Sequence, residues 1–191
     1  MERMGRLHHV LLAACGFLLM GSGPPLPEGS PVQTGPGPGP APAPWTPKVT
    51  RVHVKKSTKT MELFDGDTLV TTFSVAVGRG GAGPKKMEGD NVTPVGRYHV
   101  IKHMPSHLRI FLSLDYPNAD DRARFEEAKK KGDVPKNATI GSWIGIHGEP
   151  PEAKPFKKAE YQSHGCVVLE DKEIDVVARM VPDGAQVDIE D

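Results

Sequence analysis

The chain has 191 residues, 24 basic and 24 acidic, with 37% hydrophobic and 25% charged residues. That length corresponds to one domain with appendages rather than two full domains. A neutral balance with no basic run longer than Lys129 to Lys131 gives no support to a nucleic-acid partner, and the longest apolar run, Val10 to Met20, falls well short of the ~20 residues of a membrane-spanning helix.

In chain order, Arg3 and Arg6, the apolar run and the small residues Gly21 to Gly23 form the pattern of a secretory signal peptide, assigned to residues 1–22. Leu12-Ala13-Ala14-Cys15 also reads as a lipobox that would make Cys15 a lipid anchor; simple export is the preferred reading. Residues 23–47 hold 10 Pro and 5 Gly and a single charge, Glu28. Such a segment has too little apolar surface to offset its ordering entropy, so an extended, disordered linker is expected. Residues 48–191 remain as the folded domain, long enough to bury a core without disulfide staples.

Within it, Val49 to Val54 reads as a strand, and Met61 to Phe64 and Leu69 to Val77 as a hairpin about Asp65-Gly66-Asp67. Gly78 to Asp90 reads as a loop. Its Gly78-Arg79-Gly80-Gly81-Ala82-Gly83 satisfies G-x-G-x-x-G, but Pro84 follows where a dinucleotide site needs a helix, so no nucleotide cofactor is expected. Tyr98 to Ile101 and Ile110 to Leu114 read as strands separated by Pro105. His99, His103 and His107 would form a metal stripe only on a helix, which the β-type neighbours oppose. Asn118 to Lys131 is helical, acidic at its start, basic at its end and stopped by Gly132. Trp143 to Ile146 is a short strand, Asp171 to Met180 a second helix, and Gln186 to Ile189 a last strand after Pro182-Asp183-Gly184. Many short strands with two short helices indicate a mostly-β sandwich or barrel-like domain.

Cysteine usage supplies the first chemical clue. If Cys15 leaves with the signal peptide, Cys166 is unpaired in an exported protein, where thiols are usually paired. It sits in Ser163-His164-Gly165-Cys166-Val167, downstream of Ile144-Gly145-Ile146-His147-Gly148. A free thiol is only a few per cent thiolate at neutral pH, and an imidazole within reach can ionise it. The expectation is an ion pair of Cys166 and His147 facing an open groove, with the N–H groups of Gly165 and Cys166 forming an oxyanion hole. Two readings compete with it: a buried Cys beside incidental histidines, and a zinc site from His147, His164 and Cys166. Neither C-x-x-C nor H-E-x-x-H is present, and no metal is expected.

These two segments together resemble the signature of bacterial L,D-transpeptidase catalytic domains of the YkuD type. Residues 88–100 (EGDNVTPVGRYHV) resemble that family's Thr-Pro-x-Gly segment. Residues 113–124 (SLDYPNADDRAR) are similar to its YafK-like branch, and the ending at Val181 to Gly184 is similar too. The resemblance implies an L,D-transpeptidase-like β fold acting on peptidoglycan stem peptides in the cell envelope, the periplasm or cell wall, without a cofactor. It implies Cys166 as nucleophile, His147 as base, the Gly148 carbonyl orienting that imidazole, and Ser163 and His164 lining the substrate site. It also implies acylation by penem-type β-lactams. One departure is Val168, where the family often carries Arg or Asn. Hydrolysis of the same bonds, as L,D-carboxypeptidase, endopeptidase or amidase, and non-catalytic wall binding are the alternatives.

Overall fold

The computed structural model describes residues 48–151, 158 and 160–191. The signal peptide, the lipobox at Cys15 and the Pro/Gly linker lie outside the described residues. Eight strands form one sheet: β1 (Arg51–Lys55), β2 (Thr60–Asp65), β3 (Thr68–Ser74), β4 (Gly96–Ser106), β5 (Arg109–Leu114), β6 (Gly145–His147), β7 (Val167–Val168) and β8 (Gln186–Glu190). Helix α1 (Ala119–Lys131) lies between β5 and β6, and α2 (Asp171–Met180) between β7 and β8. The order across the sheet is β3-β2-β1-β8-β4-β5-β6-β7. β1 runs parallel to β8 and β6 parallel to β7; the other neighbours are antiparallel. The sheet curves as a half-barrel. The segment after β3 turns toward the far edge, where Ala76 bridges Val168 and Gly78 bridges Ser163. The mostly-β expectation with two helices holds, realised as one curved sheet.

Period-two patterning explains the regular part. Val52 and Val54 of β1, Met61 and Leu63 of β2, Tyr98 and Val100 of β4, and Val187 and Ile189 of β8 are all buried in one core. Register keeps them on a common face, with Val52 opposite both Leu63 and Val187. α2 closes that core through Ile174 and Val177, both fully buried. α1 contributes little apolar surface, since only Asp121 and Phe125 of it are buried. Its start is instead fixed by a capping box: the Asn118 side chain accepts from Asp121 N–H, and the Asp121 carboxylate accepts from Asn118 N–H. Gly132, at φ 78°, ends the helix in the left-handed conformation.

The expected break at Pro105 is not there. β4 continues through it to Ser106 and forms a hairpin with β5, pairing Pro105 with Ile110. The physical reason is position: β4 pairs with β8 only over Gly96 to His99, so beyond that point it has β5 on one side alone. A proline's missing N–H is tolerated on such an open side. The strand reading of Leu69 to Val77 was also too long, because regular pairing with β2 stops at Ser74. From there the chain leaves for the opposite edge of the sheet.

Candidate active site

β6 and β7 bring the two sequence motifs together. Ile146 pairs with Val167 and His147 with Val168, so Cys166 stands one step earlier, opposite Gly145. Paired residues share a face and faces alternate along a strand. Ile146 and Val167 thus enter the core, while His147 and Cys166 lie on the other face as diagonal neighbours. That spacing, roughly 7–8 Å between backbones, is one that two side chains can close.

His147 is almost fully buried, at 6% exposure. Its Nδ1 is 2.7 Å from the Gly148 carbonyl oxygen. A carbonyl only accepts, so Nδ1 carries the hydrogen and Nε2 is left with the basic lone pair. The ring stacks on Phe111, centroids 5.8 Å apart and planes 14° from parallel, and Phe111 is its cross-strand partner in β5. Gly145 makes room for this, since a Cβ there would come within 2.5 Å of Phe111 Cζ. Neither the Phe111 buttress nor the need for Gly145 was read from the sequence. The signal was available only as an aromatic on a strand whose partner was unknown.

Cys166 lines a groove of about 530 Å³ together with Arg79, Lys85, Glu88, Trp143 and His164. Its thiol donates to the Trp143 carbonyl at 3.5 Å. Trp143 is 71% exposed, and its backbone takes a positive φ of 62°, a strained conformation for an aromatic residue. The surroundings of both reactive groups favour their neutral forms. Burial pushes the Cys166 thiol up to about 11, against weaker opposing effects from the Gly145 N–H and the Lys85 charge. Burial likewise holds His147 below the ordinary histidine value of 6.5; its bond to Gly148 opposes this and nearby His107 adds to it. Both directions oppose the resting ion pair expected from the sequence. Desolvation opposes charge on either group, so the buried imidazole and the partly accessible thiol both favour the neutral form.

The loop before the cysteine also departs from expectation. The Gly165 N–H donates to Ser163 Oγ at 3.1 Å, and that hydroxyl donates to the Cys166 carbonyl at 2.5 Å. Gly165 is thus no oxyanion donor: its N–H is already used, whereas the Cys166 N–H has no acceptor among the described residues. Gly165 serves packing instead. It sits at φ 131°, and a Cβ would meet the Val92 carbonyl at 3.1 Å and Ile144 Cδ1 at 3.2 Å. Ser163 is not part of the substrate lining either. It is 3% exposed and holds the turn shut, while His164 is exposed on the groove. Val168 is fully buried and bridged to Ala76, so its lack of a polar group removes no contact from the groove.

Two other histidines, His99 and His103, do not line this groove. His99 faces Asp115 at 3.3 Å and His103 faces Asp183 at 2.6 Å, both on strand β4. Among the described residues no group of three or more His, Cys, Asp or Glu is arranged to hold a metal. The glycine-rich loop does reach the groove, although not as a phosphate cradle. A Cβ on Gly78 would lie 2.1 Å from the Asn91 carbonyl, and one on Gly80 2.2 Å from that of Asp90. These glycines let the loop pack backbone to backbone against residues 90–93. Asp90 secures the other side, accepting from Lys85 Nζ at 2.6 Å and from the N–H groups of Lys86, Met87 and Val92.

Comparison with known proteins places this arrangement. Among solved structures, the fold is similar to the helical cell shape determining protein Pgp2 from Campylobacter jejuni, at 24% identity and a TM-score of 0.57 over 76% of this chain. It is also similar to Bd1075 from Bdellovibrio bacteriovorus, at 19% identity and a TM-score of 0.52 over 74% of this chain. The chain spans about half the length, 48%, of each of those proteins. No curated protein matches it. Residues 49–189, which include every groove residue named above, match the L,D-transpeptidase catalytic domain family, YkuD, and the chain belongs to that family.

Proposed function

We propose that this domain is an exported cysteine acyltransferase that forms peptidoglycan cross-links, or links protein to peptidoglycan, through a thioester on Cys166. The observation that carries the reading is the shared face of β6 and β7. It sets a groove-lining thiol beside a buried histidine whose Nδ1 is committed to the Gly148 carbonyl. Export is supported by the positive start and short apolar run of residues 1–22. A part in cell shape is supported by the likeness to Pgp2, itself described as a shape-determining protein.

The chemistry follows from a neutral pair. His147 Nε2 takes the thiol proton as Cys166 Sγ bonds to the stem-peptide carbonyl carbon, so ionisation accompanies attack instead of preceding it. The Cys166 N–H donates to the oxygen as it gains charge. The imidazolium then gives its proton to the departing D-amino acid's nitrogen, the C–N bond breaks and the thioester remains. An acceptor amine attacks that thioester, loses its proton to His147 and restores the thiol. Water in the amine's place gives hydrolysis.

Full-length protein incubated with muropeptides, with products followed by mass, tests the proposal. Cross-linked dimers support transfer. Shortened monomers alone assign the domain to hydrolysis, and substrate that is retained but unchanged assigns it to binding.

A further inference from the structure

The charged side chains of the groove are not equivalent. Lys85 is enclosed, its side chain 4% exposed, and its ammonium is held 2.6 Å from Asp90. Glu88 accepts the Thr139 hydroxyl. Arg79 is exposed on the same groove, and its guanidinium has no hydrogen-bond or ion-pair partner among the described residues. Yet its backbone is tightly held. Arg79 N–H donates to the Ser163 carbonyl at 2.9 Å, and Ser163 N–H returns a bond to Val77 at 2.9 Å. On either side, Gly78 N–H donates to Thr93 Oγ1 at 2.7 Å and Gly80 N–H to Asn91 at 2.9 Å. Ser163 is the residue whose hydroxyl fixes the Cys166 carbonyl, so Arg79 and the nucleophile are mounted on one hydrogen-bonded frame.

We infer that Arg79 is a specificity-determining residue that anchors a carboxylate of the acyl donor; the inference rests on the acyl-transfer reading above. A guanidinium presents two parallel N–H donors to a carboxylate, a match that an ammonium cannot reproduce. Lys85 is further disqualified because Asp90 already takes its charge. Among the described residues Arg79 is therefore the groove cation free to meet an anion, on the same groove as the sulfur. A stem peptide offers such a group as the terminal carboxylate of the departing D-amino acid. A second one is present where the diamino acid's side chain carries it.

Steady-state turnover of three tetrapeptide stems by full-length protein tests this: one unmodified, one amidated at the C-terminus, one amidated on the diamino acid's side chain. Amidating the anchored carboxylate raises KM about ten- to a hundredfold, the usual loss for a charge-assisted hydrogen bond, and changes kcat less. The affected arm identifies the carboxylate. Arg79→Gln raises KM for the unmodified stem by a similar factor and abolishes discrimination against the amide, and Arg79→Lys recovers part of both. Arg79 is exposed, so its variants keep the parent melting temperature. A KM within twofold of the parent for Arg79→Gln, or undiminished discrimination, overturns the inference. Calorimetry of the same stems with Cys166→Ala separates the two levels. Carboxylate- and Arg79-dependent binding without turnover in the parent protein keeps the anchor and discards acyl transfer. Turnover without carboxylate dependence discards the anchor alone, and neither binding nor turnover discards both.

Discussion

The two wings of the sheet are built differently. On one side β1, β2, β4 and β8 alternate buried residues with more accessible ones over their core-facing stretches, and each is paired along its length or nearly so. On the other, β6 has three residues and β7 two, and every one is buried. Strands so short cannot hold position by their own pairing. They depend on groups from outside: the 76–79 segment, the Ser163 hydroxyl, the Leu108 carbonyl that accepts from Gly148 N–H, and α2 behind them. The regular wing thus stores stability, whereas the irregular wing spends it to expose a thiol and a lone pair at one groove.

Paired substitutions should separate these roles most sharply. Cys166→Ala is expected to abolish acyl transfer, and His147→Ala to lower it by about 10²–10⁴, the usual worth of a positioned base; both should retain the fold. Leu63→Ala, in the far wing, should cost about 2–5 kcal/mol of stability, as buried leucines do. Its activity per folded molecule should stay near that of the parent. Rates normalised to the folded fraction by denaturant titration check the contrast, and an activity loss for Leu63→Ala that survives normalisation would break it.

Ser163→Ala probes the support of the irregular wing. It leaves the Gly165 N–H and the Cys166 carbonyl without their shared partner, at a cost of about 1–3 kcal/mol. Because the same hydroxyl aims the cysteine backbone, kcat should fall by at least tenfold with KM little changed. Thermal unfolding and steady-state kinetics on one preparation read both. A stability loss without a fall in kcat would make Ser163 purely structural.

The resting protonation state gives a third contrast, between two reagents at one sulfur. With the thiol pushed up to about 11, iodoacetamide at pH 7.5 should alkylate Cys166 more slowly than free cysteine, with the rate rising into the alkaline range. A penem should still acylate it at neutral pH, because the proton passes to His147 during attack. That reaction should persist down to below pH 6.5 and fail once His147 is protonated, since its pKa is depressed. Intact-mass time courses across pH measure both. Rapid alkylation at neutral pH would restore the resting thiolate that the sequence suggested.

How much of this was legible beforehand divides along the same line. The regular wing was readable because alternation such as Val52/Val54 and Val187/Ile189 states its own face. The first helix is readable from charge order and Gly132, the second from the apolar face of Ile174, Val177 and Ala178. The two motifs that carry His147 and Cys166 are legible in the sequence, and β6 and β7 set them on adjacent strands. What failed depended on the third dimension. Gly165 is expected in the oxyanion hole and Ser163, by resemblance, on the substrate site, but hydrogen bonds that only the fold creates engage their polar groups. Arg79 lies in a glycine-rich stretch that reads only as a loop, and it takes the bridging of residues 76–79 to the far edge of the sheet to bring it to the groove that Cys166 lines.

The smallest expected effect lies at the outer end of that loop, where the molecule joins its two wings through one carboxylate. Asp191 accepts from Gly83 N–H at 2.8 Å and from the buried ammonium of Lys56 at 2.6 Å, and Lys56 also donates to the Gly83 carbonyl at 2.8 Å. Lys56 directly follows β1 and Asp191 follows β8, so the regular wing clamps the loop that carries Arg79. Asp191→Asn keeps the shape but removes the charge, and should shift the melting temperature only slightly, as half-exposed ion pairs do. Amide exchange at Gly80 to Gly83 should nonetheless quicken severalfold, with a modest rise in donor KM. Acid should reproduce the variant. The Lys56 contact holds Asp191 below the usual carboxylate value of 3.8, so its contribution is complete above that value and is lost as pH falls through the lower folded one. Exchange in this loop that matches between parent and variant at pH 5 would show that Gly78 and Gly80 packing alone holds the wall, and that the regular wing lends the site nothing through this clamp.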